Sequence, residues 1–535
     1  MSLPRGRSLS PNLVLVAALT VAMGGYLSAT PPVPDLAAQV ARADLVRRTG
    51  ETVWWLGWFG GLHLPSYSAV SPVLMAHVGV PATGAIATAL AVLAMTRLLK
   101  ASPRPRLGAA TFLATASANL LDGRITFAVS LATGLWCLVA LTEGAPAARA
   151  WFGAGLAVVT CLTSPLGGLF LALAAATLAL VRRRWWRPRV PGLLVLLFLA
   201  LTMAATLALF PDVGEMPFPL VNFLPAAACA AAIALCCPQP LTRGGAVLYL
   251  LALVCFLVHP MAVGTNITRL AWIFALPLLV ACGRLPRKAL ALIAVTAALL
   301  PAVDLTGQLR ASADVSSSPA FYLPLAAVLA ADQATRPKTL GQRVEVVDSR
   351  NHWASTYLAG RFTLARGWER QADRAYNSLF YDEAPLDAES YHRWLDGLAV
   401  GWVAVPAAPL DYASVDEARL VGTRPDYLVA IWSNRDWTLY RVVHARQLAR
   451  PATVVHVDDR AVVINVGVVT TVHLAIRWSP YLVVTDGSGR RRGCIGSAGG
   501  WTYVRVPAPG RYTVTADFDG NLRHGQPRCG AGVSR

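Results

Sequence analysis

The chain has 535 residues, 55% of them hydrophobic and 14% charged, with a mean hydropathy of +0.50. A soluble domain carries nearer a quarter charged residues, so the composition excludes an ordinary water-soluble enzyme and points to a chain that lives mostly in lipid. The formal net charge of +18 raises nucleic acid as a partner only until the basic residues are located: they sit in short connections between apolar runs, the positive-inside pattern of a membrane protein, and no nucleic acid is expected.

Apolar runs of about twenty residues, enough to cross a hydrocarbon core, recur from Asn12 to Pro301. The first ends in "GGYLSAT", which imitates a cleavage site, but the spans behind it favour a retained helix over a signal peptide. We place spans near 12–29, 77–97, 107–121, 125–142, 151–163, 165–181, 191–210, 222–238, 244–260, 268–283 and 288–302. The basic connections Arg97–Arg106, Arg182–Arg189, Arg243 and Arg284–Lys288 then fall on one side together with Arg5 and Arg7. The predicted topology is about eleven spans in the plasma membrane, with a cytoplasmic N-terminus and an extracytoplasmic C-terminal region. The acids Asp35, Asp44, Glu51, Asp122, Asp212 and Glu215 fall on the outer side.

The first outer loop, 30–76, is longer than a helical connection needs, and loops of that length are usually structured or functional. Pro34 and Asp35 read as a helix start, the proline tolerated in the first turn and the acid suited to the dipole. In "PDLAAQVARADLV", Asp35, Gln39 and Arg42 share one face at i, i+4 and i+7, so the segment reads as an amphipathic helix presenting an acid, an amide and a guanidinium. A helix cap is the plainer role for Asp35. Trp54, Trp55, Trp58 and Phe59 read as an interfacial aromatic cluster. They are followed by His63 and Tyr67 in "HLPSY".

Asp122-Gly123-Arg124 fills a very short outer turn, suited to binding a phosphate or to pairing within itself and capping two helices. His259 and Arg269 flank another outer turn; an arginine there either snorkels or meets an anion in a cavity. Beyond Asp304 the composition changes. Residues 304–319 read as a polar linker, 320–445 as an α/β domain and 446–535 as a β-sandwich-like domain. The supporting patterns are strands at "RVEVVD" and "LAVGWVAVPA", a hairpin turning at Ser433–Asp436, a helix at "LDAESYHRWLDGL", and short strands with Gly, Asp and Pro turns after 450. The stretch Arg350–Tyr381, rich in Arg, Trp, Tyr and His, includes Trp368 and Arg370 and suits sugar faces and hydroxyls; a rim of an α/β core is the alternative. Cys494 and Cys529 stand apart from the cysteines of the apolar runs and can form a disulfide if that region is outside the cell. No Walker, GxSxG, HExxH or dinucleotide motif is present.

These features together resemble the GT-C superfamily of integral-membrane glycosyltransferases, more closely its large actinobacterial members. The resemblance rests on an N-terminal span, a long first outer loop opening with an acid in "PDLAAQ", then "GGLHLPSYSAVSPVL", "DGRITFAVSLATGLW", a run of further spans and a C-terminal region with "LARGWERQ". It covers residues 1–303 as a membrane domain and nearly all of the rest. It implies a multi-span α-helical fold that moves sugar from a polyprenyl-phosphate-linked donor to an envelope glycan or lipid acceptor, with membrane lipid as surroundings and Asp35 as base or metal partner. It implies positive charge on the departing phosphate, for which Arg124 and Arg269 are the candidates, with His63 and Tyr67 on the donor phosphate or the acceptor and Asp35 and Asp122 as candidate metal ligands. Gln39, Arg42, Asp122, His259, Trp368 and Arg370 are further candidate substrate-binding residues. A divalent cation, Mg or Mn, is the cofactor it admits. Many members carry paired acids in the first loop, whereas this chain has the single Asp35. The competing classes are a transporter or lipid flippase, disfavoured by the few mid-span charges, and a non-catalytic envelope protein.

Overall fold

The structure is a computed structural model and describes residues 11–143, 147–181, 189–211, 214–284, 286–336, 339–382, 384–520 and 525–529. Arg5, Arg7 and the basic run 182–188 lie outside the described residues. The chain divides into two compact units: Met1–Leu36, Tyr67–Pro211 and Glu215–Arg310 form the first, and Ala37–Ser66, Asp212–Gly214 and Ala311–Arg535 the second.

The first unit is helical. Its elements are α1 (Pro11–Ser28), the first residues of α2 (Pro34–Thr49), α3 (Ser71–Val78), α4 (Val80–Leu98), α5 (Pro105–Leu121), α6 (Ile125–Thr142), α7 (Ala147–Thr163), α8 (Pro165–Val181), α9 (Arg189–Leu209), α10 (Leu220–Cys236), α11 (Pro240–Val258), α12 (Arg269–Cys282) and α13 (Arg287–Ser312). Each segment expected to span is mainly helical, and all but the one at 77–97 fall on a single helix. Among the described residues, five helical stretches are by length and composition long and apolar enough to cross a membrane: Val80–Leu98, Ile125–Thr142, Pro191–Leu209, Pro240–Val258 and Gly264–Cys282. The helices pack through small and aromatic side chains into a core that includes Ala91, Ala94, Phe112, Phe127, Leu253 and Leu279. Outward, Leu193, Leu197 and Leu201 on α9 and Val247, Leu251, Val254 and Val258 on α11 are exposed. Apolar stripes of this length have no stable place in water and are the surface that a bilayer covers.

Two expectations change here. The span placed at 77–97 is broken at Gly79, whose φ of +94° separates α3 from α4. The polar linker placed at 304–319 is helical through Ser312: Leu305, Leu309 and Arg310 are good helix formers, so α13 continues where the apolar run ends.

The second unit combines an α/β part and a β-rich part. The α/β part has α14 (Pro319–Ala334), α15 (Ala354–Tyr357), α16 (Arg370–Tyr376), α17 (Ala388–Gly397) and α18 (Val415–Gly422). Its mixed sheet has the order β3 (Arg343–Val346), β4 (Val400–Pro406), β6 (Trp437–Val442), β5 (Leu428–Ser433), with β3 and β4 parallel and the other neighbours antiparallel. The β5–β6 hairpin turns where the sequence places it. The β-rich part holds two four-stranded antiparallel sheets. One is β12 (Cys494–Ala498), β13 (Trp501–Val506), β10 (Thr470–Arg477) and β7 (Ala449–Arg450). The other is β11 (Leu482–Asp486), β14 (Gly510–Ala516), β9 (Ala461–Val466) and β8 (Thr453–Val457). Alternate residues such as Val472, Leu474, Ile476 and Val462, Ile464, Val466 point into one shared core, as sandwich packing requires. Cys494 and Cys529 are joined by a disulfide across Cα atoms 5.0 Å apart.

The long first loop belongs largely to this second unit. Its ribbon, β1 (Trp54–Trp55) with β2 (Leu62–His63), delivers Trp54 and Leu56 to the core of the sandwich. Trp54, Trp55, Trp58 and Phe59 are all buried, so the aromatic cluster is packing rather than an interfacial belt. The Trp55 indole donates to Asp459 at 2.8 Å, which satisfies the one polar atom its burial would strand.

Candidate functional site

The candidate site lies in the first unit, where α5 ends and α6 begins. Helices α5 and α12 run antiparallel in close contact. A Cβ on Gly108 would stand 2.6 Å from the Cβ of Ala281, the rings of Phe112 and Phe274 lie 5.6 Å apart, and the Thr115 hydroxyl donates to the Ile273 carbonyl at 2.8 Å. One turn beyond Thr115, Asn119 therefore comes level with Arg269 and Trp272. The chain leaves α5 at Asp122, whose N–H donates to the Ala118 carbonyl at 2.9 Å, and reverses at Gly123 with φ +76°. A Cβ at Gly123 would meet Val33 Cγ2 at 2.7 Å and the Leu36 nitrogen at 2.8 Å. Only glycine lets the start of α2 rest on this turn, and that approach brings Asp35 to Arg124. Pro301 and Asp304 of α13 complete a small cleft with Thr115, Ala118, Asn119, Asp122, Arg124, Arg269, Trp272 and Ile273.

Arg124 is the hub. Its Nε is 3.2 Å from Asp35 Oδ2, one Nη is 2.8 Å from Asp122 Oδ2 and the other is 2.7 Å from Asp304 Oδ2. Arg269 approaches the same Asp35 oxygen at 3.8 Å, lies over the Phe127 ring at 5.7 Å, and interacts electrostatically with Tyr67. Burial opposes the charge on Arg124, but Asp122, Asp35 and Asp304 together raise its pKa above the ordinary arginine value. Asp122, 5% exposed at its side chain, is the deepest acid. Burial pushes its carboxyl up to about 6, against the pull of Arg124. Asp35 and Asp304, at 27% and 40%, are the accessible ones.

The cleft is small, about 20 Å³, room for one water-sized group. Its floor is polar and unsatisfied: Asn119 Nδ2, Asn119 Oδ1 and Asp122 Oδ1 are buried without a hydrogen-bond partner. The residues present do not fit a divalent cation. Such an ion needs a shell of about six oxygens, whereas the three carboxylates all close on a guanidinium that takes the central place. Among the described residues no group of three or more His, Cys, Asp or Glu is arranged to hold a metal.

The structure thus brings together Asp35, Asp122, Arg124 and Arg269, with Tyr67 near Arg269. It does not bring the other expected residues to the cleft. Helix α2 forms as read, but Gln39 and Arg42 are buried in the second unit rather than presented on an open face. Arg42 pairs with Glu369 and lies 5.3 Å over the Trp58 ring. Both long polar side chains are thus absorbed by packing. His63 is buried between Trp54 and Tyr481 and shares a 2.9 Å hydrogen bond with Ser479. His259 is exposed just beyond α11 and does not line the cleft.

Trp368 and Arg370 build a separate cluster in the second unit. Trp368 stacks on His352 with centroids 3.3 Å apart, and Arg370 lies over Trp368 at 4.9 Å and over the exposed Tyr412 ring at 4.7 Å. Arg370 is fixed by a two-point bond to Asp411 at 2.8 and 2.7 Å. Although burial pushes the Asp411 carboxyl up, this bond holds it down at about 2. Asp304, Asn119 and Trp272 are the site residues that sequence reasoning missed. The only signal was an amide one turn before Asp122 inside an apolar run, a costly placement in a membrane helix.

No protein-family model matches the chain, and no curated protein matches it. Among solved structures, the chain is similar to a single-particle cryo-EM structure of the arabinofuranosyltransferase AftD from Mycobacteria, at 16% identity and a TM-score of 0.46. The match covers 92% of this chain and 44% of that one, so this chain spans less than half the length of that protein.

Proposed function

We propose that the chain is a membrane glycosyltransferase of GT-C type that moves a sugar from a polyprenyl-phosphate-linked donor to an envelope glycan or lipid at the extracytoplasmic face. The observation that carries this reading is the gathering of Asp35 and Asp122 with Arg124 and Arg269 in one ion-pair cluster, whose Asp122, Arg124 and Arg269 line a cleft at the ends of apolar helices. A carboxylate beside two guanidiniums is what the chemistry asks for. The acceptor hydroxyl attacks the anomeric carbon and gives its proton to Asp35 as the new glycosidic bond forms. The bond from that carbon to the phosphate oxygen breaks, and the charge left on the polyprenyl phosphate is met by Arg124 and Arg269. Asp304, the most exposed partner of Arg124, is the carboxylate that the donor phosphate displaces. In the second unit, the exposed Tyr412 with Trp368 and the fixed Arg370 offers aromatic faces and donors to an acceptor glycan.

The test is transfer from a polyprenyl-phosphate-linked sugar by membranes that hold the full chain. Asp35→Asn keeps the shape and removes the base, and transfer should fall by roughly 10²–10⁴-fold with expression and insertion unchanged. Full activity in that variant overturns the assignment of Asp35. Cells lacking the chain that show neither accumulated lipid-linked sugar nor any change in envelope glycans would argue against transfer itself.

A further inference from the structure

Asn119 is 4% exposed, lines the cleft, and leaves both ends of its amide without a partner; Asp122 leaves one oxygen likewise. Buried polar groups in a folded protein are nearly always paired, and a stranded amide costs stability. Three such atoms lining one cleft, on the last turn of α5 and on the residue that caps it, mark a place that something else fills. Trp272, half-buried on α12, forms an aromatic wall of the same cleft, and Arg124 and Arg269 stand among its lining residues. The set is an amide that both donates and accepts, a carboxylate oxygen that accepts, an aromatic face and adjacent positive charge. That is the complement of a ring hydroxyl or hydroxymethyl group on a sugar that carries a phosphate.

We propose that Asn119 and Asp122, walled by Trp272, form a subsite that reads one hydroxyl or hydroxymethyl group of the donor sugar. The inference rests on the transferase reading and gives it a determinant of sugar choice. The cleft admits one such group and not a whole ring, so the ring lies over its mouth while a single hydroxyl enters, accepts from Asn119 Nδ2 and donates its one proton to Asn119 Oδ1 or Asp122 Oδ1. Arg124 and Arg269 recognise the phosphate whatever sugar it bears; Asn119 and Asp122 distinguish a sugar with a hydroxyl at the right carbon from one without it. A site that leaves buried polar groups unpaired when the hydroxyl is missing discriminates strongly.

The experiment measures binding to the purified full chain of bare polyprenyl phosphate and of polyprenyl phosphate carrying mannopyranose or arabinofuranose. The wild-type protein should bind at least one sugar-bearing lipid about tenfold more tightly than the bare lipid. Asn119→Leu should erase that difference, leave the affinity for bare polyprenyl phosphate unchanged, and raise the melting temperature, because an apolar side chain of similar size removes two stranded polar atoms. Asn119→Asp, which keeps the shape and one acceptor, should fold and lose most of the discrimination.

The inference is overturned if Asn119→Leu lowers stability and leaves discrimination intact, the outcome for an amide satisfied by an ordered water. It is equally overturned if the variant weakens bare and sugar-bearing lipids alike. Failure of the wild-type protein to bind any of the three lipids overturns the transferase reading itself, and this inference with it. Tight binding of bare polyprenyl phosphate with no preference for sugar overturns only the inference.

Discussion

Asp122 shows at the scale of a residue how the cleft couples to pH. Its carboxyl rises from an ordinary value of 3.8 to about 6 through burial. The folded protein therefore keeps this proton up to about pH 6, whereas the unfolded chain releases it near 3.8. Between those values the folded state binds more protons, so stability falls as pH rises through the window, by about 3 kcal/mol from this group, and levels off above it. Asp122→Asn should remove that fall, so thermal unfolding in detergent should show the variant gaining on the wild-type protein at pH 7.5 relative to pH 4.5. An unchanged difference would mean that the group titrates normally. Asp122 and Arg124 were legible in the sequence because charges between two apolar runs stand out. Asn119, Trp272 and Asp304 were not. An amide near a helix end, a tryptophan near a membrane surface and an acid at the start of a polar run each have an ordinary explanation. Only their common approach to one cleft, which depends on how α5, α12 and α13 pack, separates them from it.

Among the elements, the turn from α5 to α6 decides whether the site assembles. Gly123 serves it twice, by its φ of +76° and by letting the Leu36 nitrogen come within 2.8 Å of where a Cβ would lie. Backbone cannot step aside as a flexible side chain can. Gly123→Ala should therefore cost more than the roughly 1–2 kcal/mol of a left-handed alanine alone, and should push Asp35 away from Arg124 with loss of transfer. Gly50→Ala supplies the comparison, since Gly50 has a similar φ of +72° with nothing within 4 Å. Equal melting shifts for the two variants would show that the close approach is unimportant. The beginning of α2, the apolar helices and the β5–β6 hairpin were readable from caps, run length and alternation. The role of the Trp54–Phe59 segment was not, because tryptophans that pack in a core and tryptophans that sit at a membrane interface look alike in a sequence. What decides is whether a distant segment supplies partners, as Asp459 in the turn between β8 and β9 does for Trp55.

For the molecule as a whole, the division into units does not follow the order of the chain. Ala37–Ser66 is separated from the rest of the second unit by the helices of the first, yet the second unit is built around it. Trp54 and Leu56 fill the sandwich core. The Leu364 N–H donates to the Gly57 carbonyl at 2.9 Å, the Thr356 hydroxyl donates to the Ala37 carbonyl at 2.6 Å, and the buried Arg42 pairs with Glu369. Gly367 leaves space only for the Trp58 ring, since a Cβ there would lie 2.3 Å from it. A fragment of residues 311–535 would thus break the buried Arg42–Glu369 pair, which costs about 3–5 kcal/mol, and would leave a cavity where Trp54 sat, which costs about as much again. Typical domain stabilities are about 5–15 kcal/mol, so these losses suffice to unfold it. The fragment alone should bind a hydrophobic dye and melt without a cooperative transition. The same fragment carrying residues 37–66 on a flexible linker should recover a sharp transition and protection from protease. A fragment 311–535 that folds cooperatively by itself would show that the first loop merely leans on a finished domain. If it needs the loop, Ala37–Ser66 is a structural part of the second unit and not a connection laid over it.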